Sequence, residues 1–225
     1  MRTAFTREER RTQTRSELLD AAERLFSEQG FHATSVDQVA DDAGYTKGAV
    51  YSNFTSKEDL FLAVYERRVD RSLPHFEAAF AESRTAIEGL ERITAASAAR
   101  RSTEDGWLAV FFEFWAHVLR HAELRERFAK QHSRLLDIFE PAMVRSAAEQ
   151  GTPLPEEPRK LAAARYAMQL GLELERLTQP DVVDAELATR MVRLSMEPGG
   201  SDGLPDQAPS GHGARPARKQ GARPG

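Results

Sequence analysis

The chain has 225 residues, of which 40% are hydrophobic and 29% charged, a composition typical of a soluble globular protein with one large domain or two small ones. It contains no cysteine, which excludes disulfide bonds, thiolate catalysis, cysteine-ligated zinc and iron–sulfur clusters. No stretch approaches the roughly 20 apolar residues of a membrane span. The N-terminus has no apolar signal segment, and we expect a cytoplasmic protein without membrane contact.

The net charge of −4 argues at first sight against a nucleic-acid partner, but phosphate binding depends on where the basic residues lie. Residues 1–15 contain five arginines against two glutamates. Residues 46–57 contain Lys47 and Lys57 and no acidic residue. These two basic segments of an acidic chain are candidate phosphate contacts.

Helical periodicity dominates residues 1–197, and strand patterns are nearly absent. The apolar stripe of the first predicted helix consists of Leu18, Ala22, Leu25 and Phe26. Gly30 supplies the left-handed residue that commonly ends a helix. Ser35 and Gln38 have the spacing of a capping box for a second helix, while Thr46 and Ser56 can cap a third and a fourth.

Longer helices are predicted over 76–101, 106–120, 122–149, 157–178 and 182–196. Gly106 and the turns at 151–155 and 179–181 mark the breaks, and Asp181 is the expected cap of the last helix. We therefore predict an all-α chain of about nine helices. Residues 198–225 contain seven glycines and five prolines, which predicts a disordered, mildly basic tail.

Residues 35–51 have the pattern of a helix-turn-helix. Such a motif needs a small residue where its second helix crosses the first and a residue of positive φ in the turn, and Ala40 and Gly44 have this spacing. The side of the motif expected to project outward carries Thr46, Lys47, Gly48, Tyr51 and Ser52. A helix that starts with a hydroxyl cap, a lysine and a glycine suits phosphate and base-edge contacts in the major groove.

The segment from Thr34 to Glu66, with the amphipathic helix before it, resembles the N-terminal DNA-binding domain of the TetR family of transcriptional regulators. The resemblance rests on Gly30-Phe31, Ala40 with Gly44, Lys47-Gly48, Tyr51 with Phe54, and Ser56-Lys57-Glu58 with Leu60. The rest of the chain resembles the family only in its helical architecture and length. The predicted organisation is a flexible basic arm (1–14), a helix-turn-helix domain (15–66), a ligand-binding and dimerisation bundle (67–197) and the tail (198–225).

The DNA-contacting residues that the resemblance implies are Thr34, Ser35, Thr46, Lys47, Gly48, Tyr51, Ser52, Asn53 and Lys57. Thr34 and Ser35 would hold a phosphate through hydroxyl and backbone N–H groups. Tyr51 and Lys57 would each contact a phosphate, unless Tyr51 is a half-buried core residue. Asn53 either contacts an adenine or caps the helix end.

The aromatic residues of helix 106–120 are either core or the lining of a ligand cavity, the second by analogy with the family. The candidate pocket residues are Trp107, Phe111, Phe114, Trp115, His117, Tyr166 and Met168. Glu113, His117 and His121 share one helix face, but no fourth ligand is visible, and we expect neither a metal nor a cofactor.

A stripe of small and apolar residues follows one face of helix 157–178, and small residues permit close helix approach. It consists of Ala163, Ala167, Leu170, Leu174 and Leu177. The stripe is either an intramolecular core or a dimer interface, and we predict that the last two helices pair with their copies in a homodimer.

Together these features predict a homodimeric repressor that a small-molecule ligand releases from a palindromic operator in double-stranded DNA. An enzyme is disfavoured, because the sequence has no zinc-protease motif, phosphate-binding glycine loop or convincing catalytic triad. The alternative is a helical protein–protein adaptor whose helix-turn-helix no longer binds DNA.

Overall fold

The computed structural model describes residues 6–99 and 101–196, and its regular structure there is helical, as the sequence predicts. The nine helices of these ranges are α1 (Arg7–Gln29), α2 (Val36–Asp42), α3 (Lys47–Tyr51), α4 (Lys57–Ala81), α5 (Ala86–Ala99), α6 (Arg101–Val118), α7 (Ala122–Gln150), α8 (Pro158–Thr178) and α9 (Ala185–Leu194). None of the helices described is long and apolar enough to span a membrane. The predicted tail lies outside the described residues.

Hydroxyl caps begin the helices of the N-terminal head, which comprises α1, α2, α3 and the first turns of α4. The Ser35 side chain accepts a hydrogen bond from the backbone N–H of Gln38 in the predicted capping box, and Thr46 and Ser56 cap α3 and α4. Each cap satisfies an N–H group that the first turn of a helix leaves without a backbone partner. Gly30 ends α1 at a φ of 86°.

The start of α1 corrects the predicted arm, because residues 7–14 are helical. Thr6 accepts from the Glu9 N–H at 3.2 Å, and the Glu9 carboxylate accepts from the Thr6 N–H at 2.6 Å. This capping box starts the helix without any buried residue, so the apolar pattern gave no sign of it. Residues 1–5 of the predicted arm lie outside the described residues.

Helix α4 is continuous through Pro74, which corrects the predicted helix over 76–101 and places the predicted domain boundary at residue 66 inside a helix. Proline removes one backbone hydrogen bond from a helix interior. Contacts on both sides of Pro74 hold α4 together: Arg67 and Arg71 bind Glu23 of α1, and Phe76 packs against the bundle core.

Gly106 lies inside α6 and does not break it. A Cβ atom at this position would lie 2.6 Å from the carbonyl oxygen of Ser27, so the glycine allows α6 to pack closely on α1. The cap of α9 is Asp184, which accepts from the N–H of Leu187 at 2.7 Å, and the prediction of Asp181 is wrong.

The head and the helical bundle that follows share one hydrophobic core. The ring of Phe61 in α4 stacks on Phe114 of α6 with 4.1 Å between centroids, and Phe31 of the head meets Phe114 edge-on at 5.0 Å. In the bundle, α4 packs against α5 and α7, α7 against α8, and α5 against α9. The head and the bundle are therefore in direct side-chain contact.

Candidate nucleic-acid interface and internal cavity

The helix-turn-helix holds the start of α3 at the surface of the head. Ala40 is buried where the helices cross, and Gly44 has a φ of 74° in the turn, as their spacing predicts. The inner side of the motif is formed by the buried residues Val36, Val39 and Val50. This apolar contact fixes the direction in which α3 presents its outer face.

The outer face of α3 carries the predicted contact residues in exposed positions: Thr46, Lys47, Gly48, Tyr51 and Ser52. The Tyr51 side chain is 49% exposed, which excludes the core alternative. Apart from its chain neighbours and the backbone of its own helix, the described residues bring only the Thr46 hydroxyl oxygen within 4 Å of a Cβ built on Gly48, so another molecule can approach the backbone there. The Lys47 ammonium lies 2.9 Å from Asp37, and this hydrogen bond raises the pKa of Lys47.

Asn53 and Ser35 have local roles at helix ends. The Asn53 amide donates to the carbonyl oxygen of Ala49 at 2.8 Å, which matches the capping alternative. Ser35 is exposed at the start of α2, where its hydroxyl caps the helix.

Thr34 and Lys57 are engaged within the protein. Thr34 is 1% exposed and its hydroxyl donates to the Gly30 carbonyl at 2.7 Å. The prediction that this hydroxyl contacts a phosphate is therefore wrong. The Lys57 ammonium donates to the carbonyl oxygens of Phe31, His32 and Thr34 at 2.9, 3.3 and 3.1 Å. These acceptors match the three donors of an ammonium group. The predicted phosphate contact of Lys57 requires at least one of these bonds to open.

The helix face that carries Glu113, His117 and His121 is used for packing. Glu113 accepts hydrogen bonds from the backbone N–H groups of Phe31 and His32, both at 2.8 Å. His117 stacks on His121 with 4.2 Å between ring centroids and lies 3.7 Å from Glu58. In the described part of the chain, no group of three or more His, Asp or Glu side chains has metal-binding geometry.

A cavity of about 560 Å³, partly open to solvent, lies in the bundle beside α1 of the head. Its size is typical of a site for a small organic ligand. Its apolar wall consists of Phe76, Leu90, Ile93, Trp107, Leu108, Phe139, Tyr166 and Leu170. Its charged and ionisable wall consists of Glu23, Arg68, Arg71, His75, Arg165, Glu173 and Arg176.

Two of the predicted pocket residues, Trp107 and Tyr166, line the cavity, as does one predicted interface residue, Leu170. The predicted residues that do not line it are Phe111, Phe114, Trp115, His117 and Met168. Phe111 and Phe114 are buried in the core, because α6 turns this face toward α4 and α7. Only the N-terminal part of the aromatic stripe reaches the cavity.

Glu23 joins the head to the cavity wall. Its carboxylate lies 2.8 Å from Arg67, 2.5 Å from Arg68 and 2.6 Å from Arg71. Burial by itself raises the pKa of Glu23, but the hydrogen bonds and charge of Arg68, with further bonds from Arg71 and Arg67, outweigh it and lower the pKa. Because Glu23 belongs to α1 and the arginines to α4, the cluster links two helices of the head at the cavity.

Two sequence models cover most of the described chain. The model of bacterial regulatory proteins of the tetR family matches residues 18–64. The C-terminal model of BetI-type transcriptional repressors matches residues 86–197. The chain belongs to the TetR family. The match confirms the predicted resemblance of the chain to this family of DNA-binding transcriptional regulators. The predicted all-α fold, with an N-terminal head and a C-terminal bundle, is confirmed as well.

Relatives of the TetR family agree with this assignment. The transcriptional activator FasR of Mycolicibacterium smegmatis is 36% identical over 107 residues, which cover 48% of this chain and 42% of FasR. The match thus spans less than half of FasR. Bacillus subtilis FadR, solved with stearoyl-CoA, has a TM-score of 0.67 at 18% identity and covers 80% of this chain and 97% of its own. A Saccharomonospora viridis regulator solved with choline has a TM-score of 0.67 at 19% identity, and the match covers 81% of this chain and 94% of that regulator.

The predicted interface stripe of this TetR-family chain is only partly covered. Ala167 is exposed, Leu174 is 44% exposed, and Ala163 and Leu177 are half-buried. Leu170 differs from the other four, since it lines the cavity. Further exposed apolar side chains, Val182 and Leu194, lie next to and within α9. Sequence reasoning missed Arg165, which shares α8 with the stripe and is buried at the cavity.

Proposed function

We propose that this TetR-family chain is a homodimeric repressor that binds a palindromic operator through α3 and leaves it when a small molecule fills the cavity. The observation that carries the proposal is the position of the cavity. Its wall includes Glu23 of the head helix α1 together with Arg68 and Arg71 of α4. A ligand there touches the helices that support the helix-turn-helix.

The DNA contact is argued from the outer face of α3. Its first turn exposes Thr46, Lys47 and Gly48, and its last residue exposes the Tyr51 ring. The ion pair of Lys47 with Asp37 does not oppose the contact, because exposed pairs contribute only about 0–1 kcal/mol and yield to a phosphate. Two such heads at a fixed separation would read half-sites in successive major grooves.

Release follows if the ligand binds two arrangements of the heads with different affinity. A shift from 1:99 to 99:1 needs about 5.5 kcal/mol of differential binding. Helix α4 runs without a break from the head to the cavity, and Glu23 clamps α1 to it. A ligand that moves Arg68 or Arg71 therefore changes how α1 sits on α4.

Dimerisation is argued from the apolar surface of α8 and α9. Leu174, Val182 and Leu194 are exposed in the single chain, and exposed large apolar side chains are candidates for an interaction surface. Leu174→Glu should shift the protein to monomers in sedimentation velocity, because it places a charge in the interface. Leu119→Glu alters a more exposed leucine, 59% against 44%, just after the end of α6, and should leave the dimer intact. A dimeric Leu174→Glu protein would refute this interface.

The named properties of similar proteins support ligand control and repression. Structures of this fold hold stearoyl-CoA in one case and choline in another. The matched C-terminal model is that of a repressor, whereas FasR is named an activator. Transcription from the selected operator in the presence and absence of the protein measures the sign directly, and a rise in transcription would contradict repression.

Selection of random duplex DNA on the full chain, followed by gel shifts of the enriched sequence at several salt concentrations, tests DNA binding. We expect a palindrome whose affinity falls steeply with salt. Lys47→Met should weaken binding to all duplexes alike and reduce the salt slope by about one, whereas Lys130→Met, on exposed α7 surface, should change neither. Binding without sequence preference would favour the adaptor alternative.

A further inference from the structure

Arg165 is a buried cation without a carboxylate partner among the described side chains. The residue is 8% exposed and lines the cavity. Its terminal nitrogens reach only the Gln169 side-chain oxygen, at 3.4 and 3.5 Å, and its Nε has no hydrogen-bond partner in the part of the chain that the structure describes. These two distances exceed those of a good N–H···O bond, so the guanidinium keeps donors for a further acceptor, Nε above all.

Such an arrangement is costly for the ligand-free protein. Removing a guanidinium from water is repaid only when an anion and hydrogen bonds replace the water. Burial lowers the pKa of Arg165 to about 10, so the side chain still carries its charge at neutral pH. The cavity therefore contains a positive charge that a bound anion would neutralise.

The other charged side chains described in the cavity wall are already paired. Arg176 lies 2.8 Å from Glu173, and Glu23 holds Arg68 and Arg71. The face of Trp107 is covered by the Arg68 guanidinium, 4.4 Å from the ring centroid, so it does not offer a free aromatic surface to a cationic ligand. Among the wall side chains that the structure describes, four arginines stand against two glutamates, so this part of the wall carries a net positive charge.

The rest of the wall accepts an apolar body. The side chains that surround the space beside Arg165 include Phe76, Ile93, Leu108 and Phe139. A ligand of about 560 Å³ or less can place an apolar part here and one charged group at Arg165.

We propose that the cavity binds an anionic amphiphile, whose carboxylate or phosphate group pairs with Arg165 while its apolar chain packs against the aromatic and aliphatic wall. The proposal rests on the proposed function in taking this ligand as the effector. Gln169 positions the guanidinium, and the bound anion supplies the acceptors that Arg165 lacks. The same pairing disfavours a quaternary ammonium ligand, which would add a second positive charge.

Isothermal titration calorimetry on the full chain tests the proposal with four probes that share a ten-carbon chain. They are decanoate, decyl phosphate, decanol and decyltrimethylammonium, used below their micellar concentrations. We expect the two anions to bind at least about 30-fold more tightly than decanol and the ammonium not to bind. The better of the two anions identifies the charged group as carboxylate or phosphate.

Arg165→Met should weaken binding of the anions at least about 30-fold and leave decanol binding within about threefold. Arg165→Lys, which keeps the charge, should retain part of the affinity. Arg159→Met is the matched control on α8, since Arg159 is exposed and pairs with Asp137 and Glu140 away from the cavity wall. It should bind the anions like the unmodified protein.

The ligand-free melting temperature separates a ligand-binding arginine from a structural one. Arg165→Met should melt at the same or a higher temperature than the unmodified chain, because it removes an uncompensated buried charge. A clear fall for both Arg165 variants would overturn the proposal. Equal binding of decanol and decanoate, unchanged anion affinity in Arg165→Met, or no binding of any probe would also overturn it.

Affinity for the selected duplex, measured on the same preparations, distinguishes this proposal from the proposed function. Decanoate or decyl phosphate should release the duplex from the unmodified chain and not from Arg165→Met. Intact DNA binding with no preference for anions overturns the anionic ligand alone. Absence of specific DNA binding overturns the repressor function, whatever the cavity binds.

Discussion

Glu113 fastens the bundle to the head, and its removal should destabilise the protein by a measurable amount. The carboxylate accepts from the N–H groups of Phe31 and His32, both at 2.8 Å. Hydrogen bonds to charged groups contribute about 1.5–3 kcal/mol each. The Glu113 side chain is 31% exposed, so water recovers part of this, and we take about 1 kcal/mol for each bond. Glu113→Ala should therefore lower the free energy of unfolding by roughly 2 kcal/mol.

Urea unfolding of the full chain, followed by circular dichroism, measures this loss. For a protein of this size the melting temperature should fall by roughly 4–8 °C. Glu113→Gln keeps one neutral acceptor and should lose about half as much. Glu126→Ala changes an exposed residue of α7 and should stay within about 0.5 kcal/mol. If Glu113→Ala unfolds at the same urea concentration as the control, the carboxylate does not hold the head to α6.

Two further predictions concern the turn glycines and a half-buried histidine. Gly30→Ala should lower the free energy of unfolding in urea by roughly 3 kcal/mol, because φ 86° with ψ 168° suits glycine alone and the added Cβ would lie 2.7 Å from the Glu113 carboxylate. Gly44→Ala adds its Cβ in open space and should cost only about 1–2 kcal/mol. Equal costs for the two variants would contradict the close approach of Glu113 to Gly30. Burial lowers the pKa of His132 from 6.5 to about 4. The stability that the folded protein gains from neutral His132 is therefore fully present above pH 6.5 and is lost as the pH falls to 4. Between pH 6.5 and pH 4 the free energy of unfolding of the unmodified chain should fall by roughly 3 kcal/mol more than that of His132→Gln. Parallel pH profiles of the two unfolding free energies would refute this.

Local patterns predicted the helix-turn-helix well. The caps Ser35, Thr46 and Ser56 act on residues three positions later, and Gly44 acts through its own φ, so the information lies within a few residues. The family resemblance, in contrast, assigned the Thr34 hydroxyl to a phosphate contact at the surface. The structure buries it because the turn after α1 folds back over the end of that helix.

Features that depend on distant residues were not predictable from local patterns. Glu113 meets Phe31 across more than 80 positions of sequence, and Glu23 meets Arg68 across 45. The aromatic residues of α6 follow the same helical periodicity from end to end, so the pattern does not separate cavity residues from core residues. Which of them face the cavity depends on how α4, α7 and α8 pack around α6. The prediction of a helix that starts at residue 76 missed that α4 runs unbroken through Pro74, where contacts of Arg71 and Phe76 with distant residues flank the proline.

The most direct test of the central claim is the dependence of affinity on half-site spacing, measured by fluorescence anisotropy on the selected palindrome. Inserting five base pairs between the half-sites turns them to opposite faces of the duplex, since one helical turn is about 10.5 base pairs. A dimer with one α3 in each of two successive grooves should then bind only as tightly as to a single half-site. Unchanged affinity for the spaced duplex would contradict a repressor with two coupled heads.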